Sequence, residues 1–87
     1  MKRWVQIFKV FANINRLKIV KLLAGTDKMT VSDIADELDI SLKSTSKHLI
    51  ILDNIDVLEG RGKSGHVYYW LNQAMPGDLK KIIRQFL

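Results

Sequence analysis

Four side chains near the middle of the 87-residue sequence have the chemistry and the spacing to contact a polyanion: Lys43, Ser44, Lys47 and His48. On a helix with 3.6 residues per turn, positions i, i+1, i+4 and i+5 lie on one side. That side would carry two cations, a hydroxyl and an imidazole, without a carboxylate. Such a helix face can enter a DNA major groove and contact phosphates and base edges. An ordinary solvated helix face is the alternative for this stretch alone.

The helix that would carry this face runs from about Leu42 to Asn54. Ser41 is placed to cap its start, because a serine hydroxyl accepts hydrogen bonds from the free N–H groups of a first turn. We expect four side chains to line the opposite, inward side: Leu42, Thr45, Leu49 and Leu52. Three isoleucines make the end of the helix more apolar than a DNA contact needs, which predicts their burial: Ile50, Ile51 and Ile55.

A second amphipathic helix precedes this one and would support it. Its apolar positions recur at i, i+3, i+4 and i+7: Val31, Ile34, Ala35 and Leu38. Thr30 is a suitable cap, with Asp33 three residues later as its capping-box partner. Four carboxylates lie off the stripe, so we expect this helix not to lie along phosphates: Asp33, Asp36, Glu37 and Asp39. Ile40, in the intervening turn, would hold the two helices together.

A basic β-hairpin, the wing, follows the two helices. The sequence predicts a strand at 57–59, a glycine-rich loop at 60–65 and a return strand at His66–Leu71. The return strand alternates between two sets of side chains, and only one set can face the core. If Tyr69 and Leu71 face the core, Trp70 lies outside. Two cations at the tip of the loop are placed to reach phosphates or a minor groove: Arg61 and Lys63. Met29 and Thr30 are expected to add a short edge strand.

Residues 8–71 resemble the ArsR-type winged-helix repressors, through the segments FKVFANINRLKIVKLLAG, VSDIADELDIS, STSKHLIIL and GHVYYWL. The resemblance implies a homodimeric transcriptional repressor that binds a palindromic operator. It places four residues in the DNA-reading positions of the family: Ser44, Thr45, Lys47 and His48. Asp56 departs from the family's usual glycine, although aspartate tolerates the left-handed backbone that the turn requires. Arg16 matches a common family arginine, and a structural role and a phosphate contact both remain open for it.

The terminal helices are predicted at 3–12 and 75–87, and a further helix at 16–24 has Asn15 as its candidate cap. The first helix is apolar over most of its circumference, so we expect it to be buried on two sides, the second by another subunit. The last helix has an apolar stripe that needs a cover. A C2 dimer would cover both, through Trp4, Phe8, Phe11, Leu79, Ile82, Ile83 and Phe86. The alternative for Trp4 and Phe8 is that they simply roof the core.

The fold class that these elements predict is mainly α, a winged helix-turn-helix of about five helices with a two- or three-stranded wing. Residues 1–87 would form one DNA-binding domain, whose contacts with duplex DNA would be made by Ser41, Lys43, Ser44, Thr45, Lys47, His48, Arg61 and Lys63. The net charge of +5 suits a polyanionic partner. A winged helix that binds only other proteins is the rival function.

Other function classes have little support in the sequence. No hydrolase, metalloprotease or dinucleotide-binding motif is present, and there is no cysteine, so we expect neither an enzyme nor a cofactor. His48 and His66 are the only histidines, so no metal site is predicted. No apolar run approaches 18 residues, and we expect a cytoplasmic protein. The sequence gives no sign of an effector.

Overall fold

The computed structural model describes all 87 residues as five helices and a three-stranded sheet. In chain order the elements are α1 (Lys2–Phe11), α2 (Ile14–Ala24), β1 (Met29–Thr30), α3 (Val31–Leu38), α4 (Leu42–Asn54), β2 (Leu58–Lys63), β3 (His66–Leu71) and α5 (Gly77–Phe86). The sheet order is β1-β3-β2, and both pairings are antiparallel. The predicted winged helix-turn-helix architecture is confirmed, including the short edge strand.

Side-chain caps begin three of the helices. Thr30 accepts a hydrogen bond from the backbone N–H of Asp33 at 3.1 Å, and Ser41 accepts one from Ser44 at 3.0 Å, as the sequence predicts. The predicted start of α2 is wrong by two residues. Asn13, rather than Asn15, is the cap, and its Oδ1 accepts from the backbone N–H of Arg16 at 3.1 Å.

The wing is a longer hairpin than the sequence predicts. Its turn consists only of Ser64 and Gly65, with φ of 53° and 82°, and two consecutive positive φ angles suit the tight turns that join twisted strands. The predicted loop at 60–65 is therefore wrong, because most of it belongs to β2. Gly60 is needed inside that strand, since a Cβ atom there would lie 2.6 Å from Cε1 of Tyr69.

One apolar core unites the helices and the wing. Tyr69 is buried and Leu71 half-buried against it, while Trp70 lies on the outer face and donates from Nε1 to Glu59 at 3.1 Å. Asp56 has φ 65°, so it does adopt the left-handed backbone expected of it. The buried Asn72 holds this turn by donating from Nδ2 to the carbonyl of Asp56 at 3.1 Å.

Two apolar residues of α4 are exposed against expectation. Leu42, predicted to face inward, is 56% exposed because it is the first residue of the helix, beyond the edge of the core. Ile50, predicted to be buried, is 52% exposed because it follows Lys43 and Lys47 at i+7 and i+3 on the solvent side. Ile51 and Ile55 do pack against the core.

The terminal helices are joined by an ion pair between Arg3 and Asp78, in which Arg3 Nη2 donates to Asp78 Oδ1 at 2.9 Å. This hydrogen bond lowers the pKa of Asp78 below its ordinary value. Leu79 and Ile83 are buried in the protomer's own core, which corrects their predicted place in a dimer interface. No helix has the length and apolarity needed to span a bilayer.

Other apolar side chains of the terminal helices remain uncovered in the single chain. Phe8 is 63% exposed, Phe86 73% and Val5 51%. Trp4, Phe11 and Ile82 are half-buried, and the rings of Trp4 and Phe8 are in contact with centroids 5.8 Å apart. We call Val5, Phe8 and Phe86 the terminal apolar surface.

Candidate nucleic-acid interface

The turn between α3 and α4 sets the direction in which α4 leaves the core. Asp39 ends α3 with a left-handed φ of 53°, and the backbone N–H of Ile40 closes the turn on the carbonyl of Ala35 at 3.2 Å. Leu49 and Leu52 then bury one side of α4 completely. The opposite side of its first two turns is consequently free of the core.

Three predicted contact residues lie on this free side. Lys43, Ser44 and Lys47 are exposed, and no salt bridge holds either lysine. Ser41 is also exposed, although its hydroxyl already accepts the capping bond. The four carboxylates of the preceding helix and turn are exposed too, as predicted: Asp33, Asp36, Glu37 and Asp39.

Thr45 was predicted to contact DNA, and the structure corrects this prediction. Its side chain is fully buried, and its Oγ1 donates to the carbonyl of Ser41 at 2.9 Å. A threonine that bonds back to the preceding turn of its own helix has no free donor to offer a ligand. The position therefore supports the start of α4 without contacting DNA.

His48 lies at the flank of the free side and is half-buried. Its Nδ1 is 3.2 Å from Nη1 of Arg16, which belongs to α2. Partial burial, and secondarily the charge of Arg16, lower the pKa of His48 from its ordinary value and so favour the neutral imidazole. A neutral imidazole at this position would act through hydrogen bonds rather than as a cation.

The wing carries its cations on the outer face of the sheet. Arg61 and Lys63 are exposed and pair with Tyr68 and His66 across the hairpin, so they lie within β2 rather than in a loop. Lys63 flanks the turn, and Arg61 lies two residues further down the strand. Together with Lys43, Ser44 and Lys47 they form what we call the basic face.

Lys28, directly before β1, is a further cation beside the wing, and the sequence does not predict it at this site. Its Nζ lies 4.7 Å from the centroid of the Tyr68 ring, a cation–π contact. It lines a groove of about 530 Å³ together with Arg61, Gly62, Lys63, Tyr68 and Trp70. The predicted edge strand is the sequence signal that could have placed Lys28 here. Pairing of Thr30 with Tyr68 brings the loop before β1 over the outer face of the sheet.

Exposed lysines on the second helix of a helix-turn-helix, beside a basic hairpin, define a winged helix-turn-helix protein of the nucleic-acid-binding type. The family model for bacterial regulatory proteins of the ArsR family matches residues 13–59, more than half of the chain. The chain belongs to the ArsR family, which confirms the resemblance noted in its sequence.

Two relatives and one solved structure illustrate the similarity. The transcriptional repressor SdpR of Bacillus subtilis is 40% identical over 72 residues, 83% of this chain and 79% of SdpR. The cadmium resistance transcriptional regulatory protein CadC of Listeria innocua is 39% identical over 64 residues, 74% of this chain, and the chain spans only 54% of CadC. The homodimeric winged helix-turn-helix DNA-binding domain of Mb0332 from Mycobacterium bovis superposes with a TM-score of 0.79 at 25% identity, covering 95% of this chain and 73% of that one.

Proposed function

We propose that the protein is a homodimeric repressor of transcription that binds a palindromic operator in duplex DNA. The observation that carries the proposal is the basic face, in which unpaired lysines occupy the free side of the helix that this fold presents to a major groove. The similarity to SdpR, a transcriptional repressor, supports the sign of regulation. A regulator of this kind has no catalytic step and acts where the DNA is, in the cytoplasm.

The side chains divide by chemistry into two groups. Lys43 and Lys47 would neutralise phosphates, as would Arg61 and Lys63 on the flanking backbone or in the minor groove. Ser44 and His48 are short, uncharged hydrogen-bonding groups suited to base edges, and Ser41 is suited to a phosphate at the start of the helix. The cations and Ser41 would set affinity, and Ser44 and His48 would set sequence preference.

The dimer would form through the terminal helices. Phe8 and Phe86 are large apolar side chains left exposed by the protomer, and Trp4, Phe11 and Ile82 are half-buried beside the core. The homodimeric state of the similar Mb0332 domain supports this arrangement. Two-fold symmetry predicts half-sites about 10 bp apart or a multiple of it. Two copies of α4 in adjacent major grooves would correspond to the spacing of one helical turn.

A salt titration tests the proposal. The logarithm of the affinity for duplex DNA should fall steeply with the logarithm of the salt concentration, because each neutralised phosphate releases counterions. Lys47→Ala should lower that slope by about one unit. Lys80→Ala, which removes an exposed lysine of α5, is the matched control and should leave the slope unchanged. Affinity that does not respond to salt would refute DNA binding through this face.

A further inference from the structure

Arg16, near the start of α2, makes side-chain contacts with both α1 and α4. Its Nε donates to the carbonyl of Val10 at 2.6 Å and its Nη2 to the carbonyl of Lys9 at 3.4 Å, both in the last turn of α1. Its Nη1 lies 3.2 Å from Nδ1 of His48 on α4. These three contacts hold the guanidinium against α1 and α4 and use three of its five N–H donors.

The chemistry of the pair decides which nitrogen of His48 carries the proton. A guanidinium stays protonated throughout the working pH range and has only N–H donors, so a ring nitrogen facing it must accept. Nδ1 therefore has its lone pair directed at Arg16. In a neutral imidazole the single proton then resides on Nε2, on the far side of the ring from Arg16.

We infer that Arg16 is a positioning residue that fixes His48 as a neutral, single-donor Nε2–H group for reading a base edge. The inference rests on the proposed function and deepens it. A fixed donor favours a base that presents an acceptor directly opposite it in the major groove, such as guanine through N7 or O6 or thymine through O4, and disfavours cytosine, whose edge presents an amino group there. A free histidine could present either a donor or an acceptor and would discriminate less.

This role separates His48 from the lysines of the same helix. Lys43 and Lys47 are cations and would release counterions on binding. The positive charge of Arg16 opposes a second charge on the imidazole beside it, so His48 would contribute preference without contributing charge. Because Arg16 is anchored on α1, the orientation of this reading group also depends on how α1 docks on the protomer.

The first experiment uses the free protein and does not depend on DNA. Long-range proton–nitrogen correlation spectra of protein with ¹⁵N-labelled histidine, recorded above pH 7.5, distinguish the two neutral tautomers. The expected result is the Nε2–H tautomer for His48, with Arg16→Met shifting it towards a mixture and Arg16→Lys, which keeps a donor-only cation, retaining more of it. His66, which is exposed on the wing, is the internal control and should not change. An Nδ1–H tautomer in the wild-type protein would overturn the inference, whether or not the variants fold.

The second experiment measures the consequence for recognition. A duplex selected from a random pool is compared with duplexes that carry one changed base pair. At one position, replacing an acceptor edge by an amino group should weaken wild-type binding by about 10- to 100-fold. His48→Gln, whose amide can both donate and accept, should lose most of that difference and keep the wild-type salt slope.

The outcomes are distinguishable. A loss of about one unit of salt slope in His48→Gln would mean that His48 acts as a cation and would overturn the inference while leaving the proposed function intact. If His48→Gln kept the wild-type preference at every base pair, the inference would be overturned as well. Failure to select any duplex would overturn the proposed function itself, and the tautomer result would still report on the Arg16–His48 pair.

Discussion

Two surfaces of the protomer are uncovered, and their chemistry is opposite. The basic face consists of cations and a hydroxyl, which cost little to leave in water. The terminal apolar surface includes two phenylalanines that are more than 60% exposed, and burying each one would contribute about 1.5–3 kcal/mol. Covering the apolar surface would therefore add stability, whereas the basic face needs a partner only for function. Under the proposed function, a second copy of the chain would cover the first surface and DNA the second.

The largest expected effect comes from placing a charge on the terminal apolar surface. Phe8→Glu should dissociate the dimer, since a carboxylate cannot be buried between subunits without a partner. DNA affinity should then fall by at least about 100-fold, because the two α4 helices no longer bind as a linked pair. Sedimentation and a gel shift measure the two consequences.

Leu42→Gln is the matched control for this change. Leu42 is similarly exposed, at 56%, but it lies on α4 beside the basic face. The control should remain dimeric. If Phe8→Glu stayed dimeric too, the assignment of the two surfaces would have to be abandoned.

The next largest effect is expected from a change on the inner face of the wing. Packing of this face on the core holds the cations of the outer face in place. Gly60→Ala should destabilise the fold by about 1–3 kcal/mol, because the new methyl group would overlap the buried ring of Tyr69. Urea unfolding monitored by circular dichroism gives the difference. Gly62→Ala is the control, since its nearest neighbour would be 3.8 Å away. Equal stability of the two variants would show that the wing is not packed as described.

Much of this fold could be predicted from the sequence, because helix periodicity and caps depend on local chemistry. Thr30 and Ser41 stand directly before apolar repeats and do cap them. Asn13 and Asn15 are chemically identical candidates two residues apart, and local pattern cannot choose between them. The wing differs from the prediction because glycine usually marks a loop, whereas Gly60 lies inside a strand, where it makes room for the ring of Tyr69.

The candidate site was harder to predict than the fold. The basic face follows from spacing, but Thr45 shows that a family position does not guarantee an exposed side chain. The stripe on α5 would be apolar whether it packed on the protomer's own core or on a second subunit. Only tertiary packing shows that Leu79 and Ile83 belong to the core and that Phe86 does not. The contact of Arg16 with His48 joins residues 32 positions apart, which no local signal could reveal.

A third prediction separates base reading from charge within the basic face. Ser44→Ala should relax preference at one base pair, at a cost of about 1 kcal/mol on the preferred duplex, and should leave the salt slope unchanged. Competition binding between preferred and random duplexes measures this change in sequence preference. An equal loss of affinity on both duplexes would assign Ser44 to the phosphates instead.

The smallest expected effect is a pH dependence of stability. The folded-state pKa of His48 lies below 6.5, so the unfolded chain binds the proton more tightly. The free energy of unfolding should therefore fall as the pH drops through the ordinary pKa of histidine, about 6.5, and the change should be small because the ring is only partly buried. His48→Gln should flatten this dependence, and His66→Gln should not. A dependence that persists unchanged in His48→Gln would contradict the environment described for that ring.

The central claim is that a symmetric pair of chains presents two copies of α4 to successive major grooves. The chain has no cysteine, so Lys47→Cys introduces a unique site for a spin label in each protomer. Dipolar distance measurement on the labelled protein should give one population near one DNA helical turn, about 34 Å. The absence of dipolar coupling, or a single distance far from that spacing, would contradict the account.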